Sequence, residues 1–179
     1  MQRKKTHKMV MCALFAALTA ILSQIAIPIG PIPINLATFA VFISGALLGS
    51  KLGALSLLIF AMLGAFGIPV FAMFRSGLDA LLGPTGGYII GYIPAAFITG
   101  FIIEKWNKNN KTFIFPIAML SGMFTYLTLG TLWFMFLMNM DLYSSLMICV
   151  IPFLPGEFFK IAVATIIVKR LLPTFIYNL

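Results

Sequence analysis

Apolar runs of bilayer-crossing length fill most of this chain, and they restrict its fold more than any other feature. Crossing ~30 Å of hydrocarbon takes about 20 apolar residues per helix, with a range near 17 to 25. Six runs approach or reach that length, at 9–27, 34–49, 52–71, 87–103, 113–138 and 153–168. Gly/Pro-rich or charged stretches separate them, at 28–33, 50–51, 72–86, 104–112 and 139–152. Within the last stretch, 142–151 is apolar but too short to cross. It reads as a re-entrant or interfacial segment feeding the sixth span. The expected fold is an all-α integral membrane protein, a single domain over residues 1–179 with six transmembrane helices.

Composition agrees. Charged residues make up 9% of the chain and the mean hydropathy is +1.08, whereas a soluble domain carries roughly 25% charged residues. The pI near 9.8 does not point to nucleic acid, because the basic residues sit in short clusters between apolar runs. Those clusters set an orientation. Arg3, Lys4, Lys5 and Lys8 lie in the N-terminal tail and Lys51 in the second loop. Lys105, Lys108 and Lys111 lie in the fourth loop, and Lys169 and Arg170 in the C-terminal tail. Ten of the twelve basic residues therefore share one side, and the opposite loops hold only Arg75. By the positive-inside rule both termini face the cytoplasm. The alternative for the N-terminus is a signal peptide. The first run passes into Pro28 without a small-residue cleavage site and is longer than an h-region, so it reads as a retained span.

Few groups could carry chemistry. His7 is the only histidine and lies in the basic tail, so a histidine triad or a His-ligated metal site is not available. Gly49-Ser50-Lys51-Leu52 lacks the spacing and final hydroxyl of a Walker A motif, so ATP-driven work would need another chain. Cys12 and Cys149 stand in apolar runs without metal or redox spacing and read as packing residues. No enzyme activity, metal or cofactor is expected.

Glu157 and Lys160 stand out. An ionisable residue in a span costs about 2.5 to 3.5 kcal/mol on insertion scales and marks a functional position by default. Three residues apart, the two share a helix face and can partly neutralise each other. Pro155-Gly156 places Glu157 in a first helical turn, where the helix dipole favours an anion. They form either a structural ion pair between helices or a polar anchor at the base of an outward-facing pocket. The third loop, 72–86, mixes aromatics, Arg75, Asp79 and glycines. It reads as a segment folded over something, with a plain connector as the alternative. Ala13 and Ala17, and likewise Ala16 and Ala20, repeat at a spacing that lets helices approach closely in lipid. Gly45, Gly49 and Gly53 do the same around the second loop.

Several strings together resemble one family in order and spacing. They are Pro31-Ile32-Pro33-Ile34, Leu47-Leu48-Gly49, Gly67-Ile68-Pro69-Val70-Phe71, Leu82-Gly83-Pro84-Thr85-Gly86-Gly87-Tyr88 and Phe153-Leu154-Pro155-Gly156-Glu157-Phe158-Phe159-Lys160. The chain resembles, over nearly its whole length, the BioY family of biotin-specific S components of energy-coupling-factor (ECF) transporters. That resemblance implies a six-helix S component in a bacterial cytoplasmic membrane that takes biotin from outside. It would work with a transmembrane coupling (T) subunit and two cytoplasmic ABC ATPases, toppling within the membrane. It also implies that Ala13 and Ala17 dock on the coupling subunit, and that Glu157 and Lys160 lie near the ureido head with Tyr88 in the pocket. A ureido ring offers N–H donors that Glu157 can accept and a carbonyl to which Lys160 can donate. Some members carry an arginine directly after the motif tyrosine, where this chain has Ile89. That departure leaves Arg75 for the biotin carboxylate, unless it is an exposed loop residue or pairs with Asp79. The rival readings are an S component for another vitamin and a stand-alone channel or proton-coupled carrier.

Overall fold

The structure, a computed structural model, describes the backbone of residues 2–107 and 111–178 and the side chains of 5–107 and 111–173. Lys108 and the side chains of Arg3 and Lys4, counted above for orientation, lie outside the described residues. Long helices dominate: α1 (Gln2–Gln24), α2 (Ala37–Ala65), α4 (Gly86–Trp106), α5 (Ile114–Met138) and α7 (Leu154–Asn178). Two shorter helices, α3 (Leu78–Leu82) and α6 (Leu142–Cys149), stand in the loops before α4 and α7. Two-residue strands β1 (Ala26–Ile27) and β2 (Ile34–Asn35) pair antiparallel, Ala26 opposite Asn35. They close the proline-rich 28–33 turn into a small flap.

Lys5–Gln24, Ala37–Ala65, Gly86–Trp106 and Ile114–Met138 are each long and apolar enough to cross a membrane. The chain is thus a multi-pass helical membrane protein. α6 and α7 are together long and apolar enough for one more span, as a pair bent by 50° where the 142–151 segment meets the sixth expected span, the shape of a broken span or a re-entrant loop. Asp141 starts α6 by accepting from the Ser144 backbone N–H at 3.1 Å. Hydrogen bonds from Ser144, side chain first and backbone second, hold its carboxyl below the usual range. α1 begins well ahead of residue 9. Lysine stems allow a helix to continue through the headgroup zone with their charges in water, so the basic tail is the first turns of the helix.

α2 covers what the sequence divides into a second and a third span, and its geometry explains the division. At Gly49 the backbone turns to φ 83°, ψ 179°, breaking the helix into arms 37–48 and 50–65. The arms fold back on each other: Ser44 Oγ and Ser56 Oγ are 2.7 Å apart, a contact that one straight helix could not make. A left-handed φ of this kind is open to glycine at no steric cost. The turn is held by Glu104 at the end of α4. Its carboxylate accepts from the Ser50 backbone N–H at 2.8 Å and from Ser50 Oγ at 2.7 Å. In the sequence Glu104 is only the first residue of the charged stretch 104–112.

α2 packs mainly on α4 and α1, and α4 on α5. Small residues set how close these helices come. A Cβ on Gly45 would lie 2.4 Å from the Ala96 carbonyl oxygen, and one on Gly53 would lie 2.9 Å from Gly45 Cα. The Gly45/Gly49/Gly53 series is therefore internal packing. Gly100 is tighter still, its absent Cβ 2.4 Å from Ser50 N and 2.5 Å from Gly49 C. Gly100→Ala is expected to lower stability by about 1–3 kcal/mol, the usual cost of overpacking. Gly156→Ala, where nothing lies within 4 Å, serves as the control. Equal melting temperatures for the two variants in detergent would contradict this packing.

The alanines of α1 separate. Ala16 is 1% exposed and faces the bundle, while Ala13 and Ala17 are exposed. The two pairs, which the sequence places on one side of the first span, face different surroundings.

Candidate functional site

The ends of several elements converge on one cavity of about 480 Å³. The β1–β2 flap supplies Pro28, Pro31, Ile32, Pro33 and Asn35, and α2 supplies Ala37, Thr38 and Phe60. The third loop contributes Phe71, Met73, Arg75 and Thr85. Helices α4 and α5 give Tyr88, Ile89, Tyr92 and Tyr126, and the start of α7 gives Phe153 and Glu157. The size and the mostly apolar, aromatic wall with a few polar groups are those of a small-molecule site.

Its polar end is built from residues distant in sequence. Glu157 is 1% exposed and Lys160 6%. Lys160 Nζ lies 2.6 Å from Glu157 Oε1, 2.9 Å from Thr38 Oγ1 and 2.7 Å from the Asn35 carbonyl oxygen. Thr38 in turn donates to Glu157 Oε1 at 2.9 Å. An ammonium has three N–H donors, and all three meet protein acceptors here. Lys160 is also not among the residues that line the cavity. The expectation that it donates to a ligand carbonyl thus meets an ammonium already fully engaged. These contacts tie the start of α7 to β2 and α2. Glu157 Oε2 makes no hydrogen bond among the described residues, and neither does the Tyr126 hydroxyl.

Tyr88 is buried in the wall at 5% exposure, its hydroxyl 3.2 Å from Thr131 Oγ1. Its ring lies over Gly130, where a Cβ would come 2.3 Å from the ring. Arg75 lines the same cavity, on a loop with unusual backbone. Met73 and Phe74 both have left-handed φ, 60° and 56°, a conformation that non-glycine residues hold only when their surroundings enforce it. The enforcing contacts are visible. The Phe71 N–H donates to the Arg75 carbonyl at 3.0 Å. Gln24 at the end of α1 donates to the Phe71 carbonyl at 3.1 Å and accepts from the Phe74 N–H at 2.9 Å. Ser23 donates to the Val70 carbonyl. Among the described residues no carboxylate lies within ion-pair distance of Arg75, Asp79 included.

The sequence reading thus names Arg75, Tyr88 and Glu157 on the cavity, and Lys160 directly behind it. Ala13 and Ala17 lie apart, on the outer surface of α1. Asn35, Thr38, Tyr92 and Tyr126 were not singled out. Tyr92 carried a signal, being one helical turn beyond Tyr88 and so on the same face.

A helical bundle in the membrane, folded around a ligand-sized cavity lined by a buried acid and an exposed arginine, defines a solute-binding membrane protein. The chain belongs to the BioY family, whose sequence profile matches residues 1–176. The probable biotin transporter BioY of Pyrococcus horikoshii is 39% identical over 167 residues, covering 93% of this chain and 97% of the relative. The biotin transporter BioY of Thermotoga maritima is 35% identical, with 92% and 95% covered. A crystal structure of the S-component for biotin from an ECF-type ABC transporter superposes with a TM-score of 0.89 at 32% identity. That match covers 96% of this chain and 93% of the other. These relatives are transporters, not enzymes.

Proposed function

We propose that this chain captures biotin as the S component of an ECF-type transporter, in concert with a coupling T subunit and two cytoplasmic ABC ATPases. The observation that carries the reading is a single cavity bounded by both Glu157 and Arg75. Such a cavity suits a ligand with a neutral, N–H-bearing head and an anionic tail joined by apolar atoms. Family membership narrows that ligand to biotin. Glu157 accepts from the ureido N–H groups, Lys160 holds Glu157 in place, and Tyr88 forms part of the apolar wall. Arg75 meets the carboxylate, which needs a positive partner once drawn out of water.

We further infer six membrane passes, counting the two arms of α2 separately and α6–α7 as one. The Ser50–Glu104 contact puts the α2 turn, with Lys51, at the same end of the bundle as Lys105. Gln24 and Arg75 share the opposite end. That distribution supports cytoplasmic termini in a cell membrane and a site opening outward.

The test is ligand binding to purified protein with biotin, thiamine and riboflavin, followed by biotin methyl ester. Biotin alone of the vitamins is expected to bind, and the free acid to bind better than the ester. Arg75→Ala is expected to lose most of that acid preference, by an amount of order 1.5 to 3 kcal/mol. Binding of thiamine or riboflavin instead would overturn the biotin assignment. An unchanged acid preference in Arg75→Ala would hand the carboxylate to another group, such as Thr85.

A further inference from the structure

We propose that Gln24, at the end of α1, is the positioning residue for Arg75: its side-chain amide holds the 71–75 loop in the turn that brings Arg75 to the cavity. The proposal rests on reading Arg75 as the partner of the ligand's carboxylate, and it names a residue outside the cavity that sets this selectivity.

The loop cannot hold its own shape. Met73 and Phe74 take left-handed φ values of 60° and 56°, which bulky residues adopt only under constraint. Side-chain packing does not supply that constraint, because Met73 is 53% exposed and Phe74 72%. The backbone's partners do. At its start the loop is anchored by the buried Phe71 ring, edge-on to Phe60 at 5.5 Å and 79°, over Gly64, where a Cβ would collide with it. The Phe71 N–H reaches the Arg75 carbonyl at 3.0 Å and draws the two ends of the loop together. The turn between them is held by Gln24, which donates to the Phe71 carbonyl at 3.1 Å and accepts from the Phe74 N–H at 2.9 Å.

The chemistry of the side chain fits this task. Phe71 and Phe74 present one acceptor and one donor, and a primary amide carries both complements on a single carbon. A carboxylate would turn a second acceptor on the Phe71 carbonyl, and a hydrocarbon would meet neither group. The last turn of α1 braces the amide, with Nε2 3.2 Å from the Ala20 carbonyl oxygen and 3.1 Å from Ser23 Oγ. Ser23 also donates to the Val70 carbonyl, so α1 grips the loop at two points. Arg75, in contrast, is exposed and has no ion pair among the described residues. A guanidinium that spends only part of its time at the cavity binds a carboxylate more weakly in that proportion. Gln24 is not among the residues lining the cavity, so its effect on a ligand has to pass through the loop.

The experiment is a double-mutant cycle read with two ligands. Wild type, Gln24→Met, Arg75→Ala and the double variant, as purified full chains, are titrated with biotin and with biotin methyl ester. Gln24→Met keeps the bulk and removes both the donor and the acceptor. It is expected to bind biotin about tenfold more weakly and the ester as wild type does. With Arg75 already alanine, it is expected to change neither affinity. Wild-type preference for the acid in Gln24→Met would overturn the proposal. So would equal weakening of acid and ester, which would make Gln24 a general support of the wall, or a further loss in the Arg75→Ala background. Should Gln24→Met not purify, Gln24→Asn carries the test. It keeps a polar amide but draws it back from the loop by one methylene, and full wild-type selectivity in it overturns the proposal in the same way. Acid preference retained in Arg75→Ala alone would overturn the reading of Arg75 and this proposal with it, a result seen without touching Gln24.

Discussion

Lys160→Met is expected to cost folded protein rather than affinity alone, and adding Glu157→Gln is expected to restore the fold without restoring binding. Glu157 and Lys160 are both buried and share one cluster with Thr38 and the Asn35 carbonyl. Removing one partner of a buried pair leaves the other charge uncompensated, at a cost of about 3–5 kcal/mol. Replacing both with neutral groups of similar volume is often close to neutral, because the desolvation cost of two ions disappears with their attraction. The single variant should therefore give low yield and a depressed melting temperature. The double variant should purify as a monodisperse protein yet bind biotin weakly, since a neutral amide oxygen accepts from the ureido N–H more weakly than a carboxylate does. Normal stability in Lys160→Met alone would mean that the pair does not hold α7 to α2. Wild-type affinity in the double variant would remove Glu157 from the site. The two readings open at the sequence level, structural ion pair and ligand anchor, are separated by this pair of variants: the first is read by stability, the second by affinity.

How much of this was legible in advance depended on range. Long apolar runs, Ser50–Lys51 as a break and 142–151 as a segment too short to cross are local features, and the helices follow them. The end of the second run at Gly49 was legible for the same reason. That its two arms fold back, with Ser44 against Ser56, is what makes the break a turn rather than a kink. Two buried ionisable residues in one span could hardly be missed. Their partners could be. Thr38 stands alone among apolar residues, and nothing nearby distinguishes it from a hydroxyl bonded to its own helix. Its role comes from a contact 119 residues away, which no periodicity reports. Tyr126 is hidden in the same way, because a place on the cavity wall is a property of the assembled bundle. Lys160 was given a donor's role from the resemblance and from the ureido carbonyl, and the assembled contacts add what no spacing reports, its bonds to Asn35, Thr38 and Glu157. The alanines of α1 show a related limit. Spacing reveals a small-residue face, but which face meets α2 and which remains open is decided by the neighbouring helix.

That open face leads to the second large effect. Replacing Ala13 and Ala17 together by leucine is expected to abolish biotin uptake in cells that supply the coupling subunit and ATPases, and to leave biotin binding by the isolated chain near wild type. Both residues are exposed on α1, while Cys12, Phe15 and Ala16 turn inward against the bundle. With only a methyl group at each position, a partner helix can come close enough for backbone-to-backbone packing, which in lipid drives association where a hydrophobic effect cannot. In the proposed assembly that partner is the coupling subunit. Leucine would hold it off by the thickness of a side chain, yet lipid tails accommodate the added bulk, so the chain's own fold has no reason to suffer. Ala16→Leu provides the contrast. Ala16 is 1% exposed, so leucine there overpacks the α1–α2 contact and should lower stability by about 1–3 kcal/mol, in the isolated chain as much as in the complex. Uptake that survives Ala13→Leu with Ala17→Leu would move the partner contact elsewhere on the surface. If instead the isolated double variant loses biotin binding, the face serves the chain's own packing, and docking through α1 has to be abandoned.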